Sequence, residues 1–419
     1  MTSPVGRALP PGWTTPPVYA RYSVQLGKML DEKRITGTHL APYLRNVDVQ
    51  WNNVNTNDLP EMDFNSEDRE RFSLRSGDLL VCEGGEVGRT ALWDGRLSEC
   101  YFQKAIHRLR PVTDNDEPRF FRYFMLFAVH SGLFALSTAS TIKHLPAEKL
   151  RVVRYPSPPR SQQRAIADFL DHETARLDAL VAAKERVLGL LTEKRRALIT
   201  RAVTRGLDPR APLRDSGIPW LGEIPAHWET ERTRWLFKER DQRSTTGEEE
   251  LLTVSHLTGV TPRSEKDVNM FEAETTEGYK ICLTGDLVIN TLWAWMGAMG
   301  VAPVDGIASP AYHVYEPGNR VEPSYIDALV RLPVFAQEVT RYSKGVWSSR
   351  LRLYPEGFFE VFLPVPSLGE QRAIVAHIAK ESAKLDELRA ATERTIALLK
   401  ERRAALISAA VTGRIQCLS

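Results

Sequence analysis

The residues able to perform chemistry are scattered along the chain rather than assembled. The nine histidines show no spacing that would set two of them on one metal ion. A phosphate-cradling loop of the form Gly-x-x-x-x-Gly-Lys-Ser/Thr is absent, as is Gly-x-Gly-x-x-Gly. Gly84-Gly85-Glu86-Val87-Gly88 has the wrong spacing for either and reads as a tight turn. No Asp is followed by the Glu-x-Lys pair of a nuclease. No Asn/Asp-Pro-Pro-aromatic tetrapeptide could hold a flipped base for amino-methylation. The four cysteines have no paired spacing, which suits a reducing compartment, and Cys82 and Cys282 read as small buried apolar side chains. What remains is charge. Between Arg331 and Arg352 stand Arg331, Arg341, Lys344, Arg350 and Arg352 against Glu338 alone. These patterns point to a binding module or an assembly scaffold, with no catalytic centre and no metal site of its own.

The elements that must position such a surface are set by a repeat. Gln163 to Thr204 returns without a gap as Gln371 to Thr412, a shift of 208, with 23 of 42 paired positions identical. Both copies read as long helices. Ile166, Leu170, Leu177, Leu180, Val187, Leu191 and Leu198 follow alternating steps of three and four, the seam of a coiled coil. Ile378, Leu385, Leu388, Leu399 and Leu406 hold the same places in the second copy. Polar residues interrupt both seams: Glu173 and Glu381, Lys184 and Thr392, Lys194 and Arg402. Gly206 with Pro209 ends the first helix and Gly413 the second. A helix of this length extends about 63 Å at ~1.5 Å per residue.

The landmarks outside the helices repeat too. Gly77-Asp78-Leu79 recurs as Gly285-Asp286-Leu287, Leu145 as Leu353, and Pro156-Ser157-Pro158 as Pro364-Val365-Pro366. Pro10 to Trp13 is echoed by Pro225 to Trp228. The expected organisation is a mixed α/β globule over 1–160, a helix over 161–205, a linker over 206–228, a second globule over 229–368, a helix over 369–414 and a tail over 415–419. The fold class is α+β: two α/β domains separated by two long coiled-coil helices, with a pseudo-two-fold internal duplication. Net charge is +2 for the whole chain. It is +3 over 1–160, +3 on each helix stretch and −6 over 229–368, so a simple basic DNA-binding face is not evident in the second globule. No run of 18 apolar residues and no apolar leader is present, so a cytoplasmic protein without a membrane span is expected.

Several motifs carry a resemblance. They include the Pro-x-Pro lead-in and the Gln-Arg-Ala-Ile start of each helix, with the linker Gly206-Leu207-Asp208-Pro209 and Asp215 to Pro225. In the second globule they include Gly285 to Asn290 with Trp293-Ala294-Trp295, Asp305 to Tyr312, and Trp347-Ser348-Ser349-Arg350-Leu351-Arg352-Leu353. These resemble the specificity subunit of type I restriction-modification systems over essentially the whole chain.

The resemblance implies that each globule is a target-recognition domain reading one half of a split double-stranded DNA sequence. The helices would pack antiparallel, set the spacing and dock two modification (methyltransferase) subunits, joined by restriction subunits in the complete complex. S-adenosylmethionine, ATP and Mg2+ would then reside on partners, with no cofactor in this chain. Arg or Lys suits guanine edges in the major groove and Asn or Gln suits adenine edges, while core packing is the rival reading for Trp293 and Trp295, since aromatic residues usually fill interiors. On that basis the DNA-contacting candidates are Arg45, Lys143 and His144 in the first globule, and Trp293, Trp295, Lys344, Trp347, Arg350 and Arg352 in the second. A coiled-coil scaffold that binds only proteins is the competing reading, favoured by the acidic second globule.

Overall fold

The computed structural model describes residues 9–30, 36–134, 144–265, 275–345 and 351–415. The chain forms two compact units, 1–185 with 393–419, and 186–392. Each unit therefore joins one lobe to the N-terminal half of one long helix and the C-terminal half of the other.

In the first unit a four-stranded antiparallel sheet carries the lobe. Its strands are β1 (Tyr22–Leu26), β2 (Leu79–Cys82), β3 (Thr90–Leu92) and β4 (Ile106–Pro111), in the order β1-β4-β2-β3. All four residues of β2 are buried, because it is a central strand covered on both faces. Helix α1 (Pro118–His130) starts with Pro at its first turn and the Glu117 carboxylate accepting from the Arg119 amide. Its Phe121, Phe124, Met125 and Ala128 pack with Leu79, Val81 and Leu109 of the sheet. A second apolar cluster lies around Tyr43, Phe64, Trp93 and Phe102.

The second unit repeats the plan. Strands β7 (Phe237–Glu239), β8 (Leu287–Asn290), β9 (Met299–Val301) and β10 (Tyr312–Pro317) form a sheet in the order β7-β10-β8-β9, and helix α3 (Pro323–Val330) follows. Residues 206–228, read as a linker, contain a short hairpin of β5 (Leu213–Asp215) and β6 (Glu223–Pro225). Its Ile224, with Leu221 and Trp228, joins the core of this unit.

The two long helices are α2 (Arg160–Arg205) and α4 (Leu368–Val411). Within the first unit they run antiparallel. Arg403 Nε lies 2.9 Å from Asp178 Oδ1, and Lys400 Nζ lies 3.5 Å from Glu185 Oε1, so one number rises as the other falls. The same ion pair recurs in the second unit, where Arg195 meets Asp386, the residues equivalent to Arg403 and Asp178. Arg195 also donates to the Ser382 carbonyl at 3.1 Å.

The apolar register differs in part from the expected seam. Ile166, Leu170, Leu177 and Leu385 are buried, but Leu180, Val187 and Leu388 are exposed, while Leu191, Leu198, Ile378, Leu399 and Leu406 are half-buried. Ile374, Ile407, Ala410, Val411, Ala202 and Val203 are buried in their stead. The reason is that each helix end serves a lobe as well as a helix: Ile166, Ala167 and Leu170 pack with Ile407, Ala410 and Val411 against Phe120 and Tyr123 of α1. A seam of period 3.5 describes helices that meet only each other.

A buried glutamine joins each lobe to its helix. Gln163 Oε1 accepts from the Glu117 amide at 2.9 Å, and its Nε2 donates to the carbonyls of Pro158 (2.8 Å) and Asn115 (3.3 Å). Gln371 Oε1 accepts from the Glu322 amide at 2.7 Å, and its Nε2 donates to Pro366 (2.8 Å) and Arg320 (2.9 Å). Beside each, an indole donates to the preceding residue: Trp13 to Gln162 at 3.2 Å and Trp228 to Glu370 at 2.9 Å. The helix ends are matched as well. Gly413 has φ +74°, and a Cβ there would lie 2.5 Å from the Pro10 ring, so the terminating glycine also permits close approach of the chain start.

Replacing Gln371 with Leu strands a buried amide and two carbonyls. Unfolding stability should fall by about 2–4 kcal/mol in urea titrations, with Gln163→Leu behaving alike. A loss below about 0.5 kcal/mol in both variants contradicts this role for the glutamines.

Candidate nucleic-acid interface

The candidate residues that can be placed gather at equivalent points of the two lobes. In the first, Glu83 follows β2, and its carbonyl accepts from the Leu145 amide at 2.7 Å. That bond sets exposed His144 beside the end of the strand. Asn46 Nδ2 donates to the carbonyls of Gly84 and Ala105, both at 3.2 Å, and brings the Arg45 loop to the same place. In the second lobe Thr291 follows β8, and its carbonyl accepts from the Leu353 amide at 3.2 Å. Thr291 and Leu353 stand 208 residues after Glu83 and Leu145. Lys344 and Arg352 exchange two backbone hydrogen bonds of 2.9 Å. Lys143, Trp347 and Arg350 lie outside the described residues.

Trp293 and Trp295 occupy the turn just after β8. Asn290 holds this turn, its Oδ1 accepting from the Leu292 amide and its Nδ2 donating to the Val254 carbonyl. Gly297 closes it in the left-handed conformation, φ +88°. The two rings stack 6.2 Å apart with 22° between planes. Trp295 is half-buried and donates Nε1 to the Leu292 carbonyl at 3.1 Å, while Trp293 is 50% exposed. A half-exposed ring stacked on a braced one is a platform rather than core filling.

The cations are partly engaged within their own lobes. Arg45 grips Asp48 with Nε and Nη2, at 2.9 and 2.8 Å, which raises the guanidinium pKa and orients that side chain. Lys344 Nζ lies 2.9 Å from Glu356 Oε1 and holds the carboxyl below its ordinary value. Arg352 is exposed. Asn46 and Arg89, whose Nη2 donates to the Asn46 carbonyl at 2.8 Å, were not anticipated. Their contacts span 38 to 59 residues and leave no periodic signal. Leu257, 74% exposed, lines with Trp295 and Met296 a crevice of about 940 Å3.

Among the described residues no group of His, Cys, Asp or Glu could hold a metal ion, and no helix is long and apolar enough to cross a membrane. The thiols of Cys82, Cys100 and Cys282 are buried, and burial pushes those of Cys100 and Cys282 up to about 12. The pattern defines a class: an internally duplicated chain whose candidate surfaces lie at matched strand ends.

Comparison with known proteins shows what the chain is similar to. Residues 26–188 match the type I restriction modification DNA specificity domain. Over 401 residues the chain is 22% identical to the type I restriction enzyme EcoBI specificity subunit of Escherichia coli, spanning 90% of this chain and 80% of that one. A putative type I restriction enzyme MjaX specificity subunit of Methanocaldococcus jannaschii is 22% identical over 172 residues, 40% of this chain and 39% of that one. The fold matches a chain solved in work on complex assembly and conformational transition of the type I R-M system, with TM-score 0.67, 18% identity, and 98% of this chain and 100% of that one covered. It also matches the HsdS subunit of Thermoanaerobacter tengcongensis, with TM-score 0.59, 18% identity, and 98% and 99% covered. These comparisons make the chain similar to the specificity subunits of type I restriction-modification systems over most of its length.

Two outcomes test the site's physical description. Trp293→Ala should shift stability by no more than about 0.5 kcal/mol, as for an exposed residue. Trp228→Ala, which empties a buried site, should cost about 3–5 kcal/mol. Thermal unfolding of both variants distinguishes the platform from a core residue. Iodoacetamide at pH 8 should leave Cys100 and Cys282 unmodified in folded protein, since about 1 in 10,000 of a thiol with pKa 12 is thiolate there, and peptide mapping reads the result.

Proposed function

We propose that the chain is the address-reading subunit of a type I restriction-modification complex. Each lobe reads one half of a bipartite double-stranded DNA target, and the antiparallel helices fix the distance between halves. The observation that carries this reading is the duplicated bracket, in which Gln163 and Gln371 attach equivalent lobes to equivalent helix starts. Pseudo-two-fold protein geometry maps onto two half-sites at a set separation. The Trp293–Trp295 stack, Lys344 and Arg352 in the second lobe, and Arg45 and His144 in the first, are the base-contacting candidates at the matched strand ends. Lys143, Trp347 and Arg350 are proposed with them on sequence alone. The domain limits that go with this reading are those expected from the sequence, with the hairpin of 213–225 lying inside the linker.

The partners in this reading are two modification subunits and the restriction subunits. They carry S-adenosylmethionine, ATP and Mg2+, while this chain supplies no chemistry. Exposed leucines on the long helices support two equivalent docking faces. Leu180 and Leu398 belong to the first unit, and Leu388 and Leu190 to the second, and each Leu is matched by its partner 208 residues away. Such unpartnered leucines at repeated positions suit a helix-in-groove contact.

Methylated-base sequencing with and without the gene should show one split motif that vanishes on deletion, and an unchanged set of motifs contradicts the assignment. Inserting four residues, about one helical turn, at 185/186 should alter the spacer and leave both half-sites unchanged. An altered half-site with the original spacer contradicts the role of the helices. DNA binding with the modification partner should weaken steeply with salt, since phosphate contacts release counterions. A shallow response favours the protein-only scaffold.

A further inference from the structure

Two copies of one partner on a duplicated frame would be expected to meet equal faces, and the faces are unequal. Their common part is well defined. Leu190 and Leu398 are equivalent and 62% and 65% exposed. Glu193 and Ala197 extend the first face in steps of three and four, as Glu401 and Ala405 extend the second, and all four are exposed. The helices retain these residues through the duplication, which is what docking the same partner twice requires.

Beyond that shared strip the copies part. Arg196, Arg201 and Arg205 on α2 correspond to Ala404, Ala409 and Gly413 at the end of α4. Arg201 comes eleven residues after Leu190, about three turns, and so lies on the same face. The three arginines line a cleft of about 630 Å3 between the end of α2 and residues 208–213. Thr200 and Asp208 also face the cleft. Arg205 lies 3.5 Å from Glu223. Arg196 and Arg201 have no ion-pair partner among the described residues, and both are exposed. The frame thus carries two guanidinium groups with no ion-pair partner among the described residues, one on a docking face and one beside it in the adjoining cleft, and methyl groups at the matching points of the other. Charges at the edge of an apolar contact raise the association rate and make it depend on salt.

We propose that the two modification-subunit docking faces differ in strength, and that the face bearing Arg201, with Arg196 beside it, takes the first copy through acidic groups on that subunit. This rests on the two-copy reading above and does not depend on DNA. Two exposed pairs of this kind give a difference of about tenfold in dissociation constant.

The test is a titration of the full chain with the modification subunit of the same system, without DNA, followed by native mass spectrometry. At about 50 mM salt two steps separated about tenfold are expected, drawing together as salt rises and the Debye length shrinks. Arg196→Ala with Arg201→Ala should weaken the first step and close the gap. Ala404→Arg with Ala409→Arg should strengthen the second. Circular dichroism checks that the variants, all at exposed or half-buried positions, remain folded. Two equal steps in the unaltered chain, or a gap that the double variant leaves in place, overturn the inequality alone. Absence of binding at either face overturns the two-copy reading itself.

Discussion

The structure depends on one polar constraint: a fully buried glutamine amide at the start of each long helix, satisfied from both sides. Gln163 and Gln371 are 1% and 0% exposed, and each spans the proline-rich lead-in and the first turn of a lobe helix. An amide in that position accepts from one backbone N–H and donates to two carbonyls, so its geometry admits little rotation of lobe against helix. An apolar contact would hold the same surfaces together without fixing their angle. The Trp13 and Trp228 indoles and the closely approached glycines Gly413 and Gly206 tighten the same junctions.

From that constraint follows the division between what the duplication keeps and what it releases. The Asp178–Arg403 and Asp386–Arg195 pairs, the sheet orders β1-β4-β2-β3 and β7-β10-β8-β9, and the buried Asp78 and Asp286 are retained. Even the buried aspartates keep only their strand-end role, for Asp78 pairs with Arg110 of β4 and Asp286 with Arg240 after β7. The strand-end surfaces diverge freely. One carries Arg45 locked on Asp48, and the other carries stacked tryptophans.

Much of this was legible in the sequence, and the limits have physical causes. The helices were visible because they repeat at 42 consecutive positions with a helical apolar period. The lobes were visible as landmarks, since Gly77-Asp78-Leu79 marks a turn into a fully buried strand wherever it occurs. The seam was misplaced at Leu180, Val187 and Leu388 because periodicity reports an apolar face without naming what covers it. The hairpin at 213–225 was hidden by its Pro and Gly content, which signals turns more loudly than three-residue strands. The gathering of Asn46, Gly84, Ala105 and Leu145 at one strand end is a tertiary event with no local trace.

The central claim is that two independent readers ride on one two-fold frame. It is tested most directly by a chimera in which residues 229–366 are replaced by a second copy of residues 14–158, followed by sequencing of methylated bases in cells that express it. The account predicts a target made of the first half-site repeated in inverted orientation, at the original spacing. A target that keeps its two different halves would contradict it.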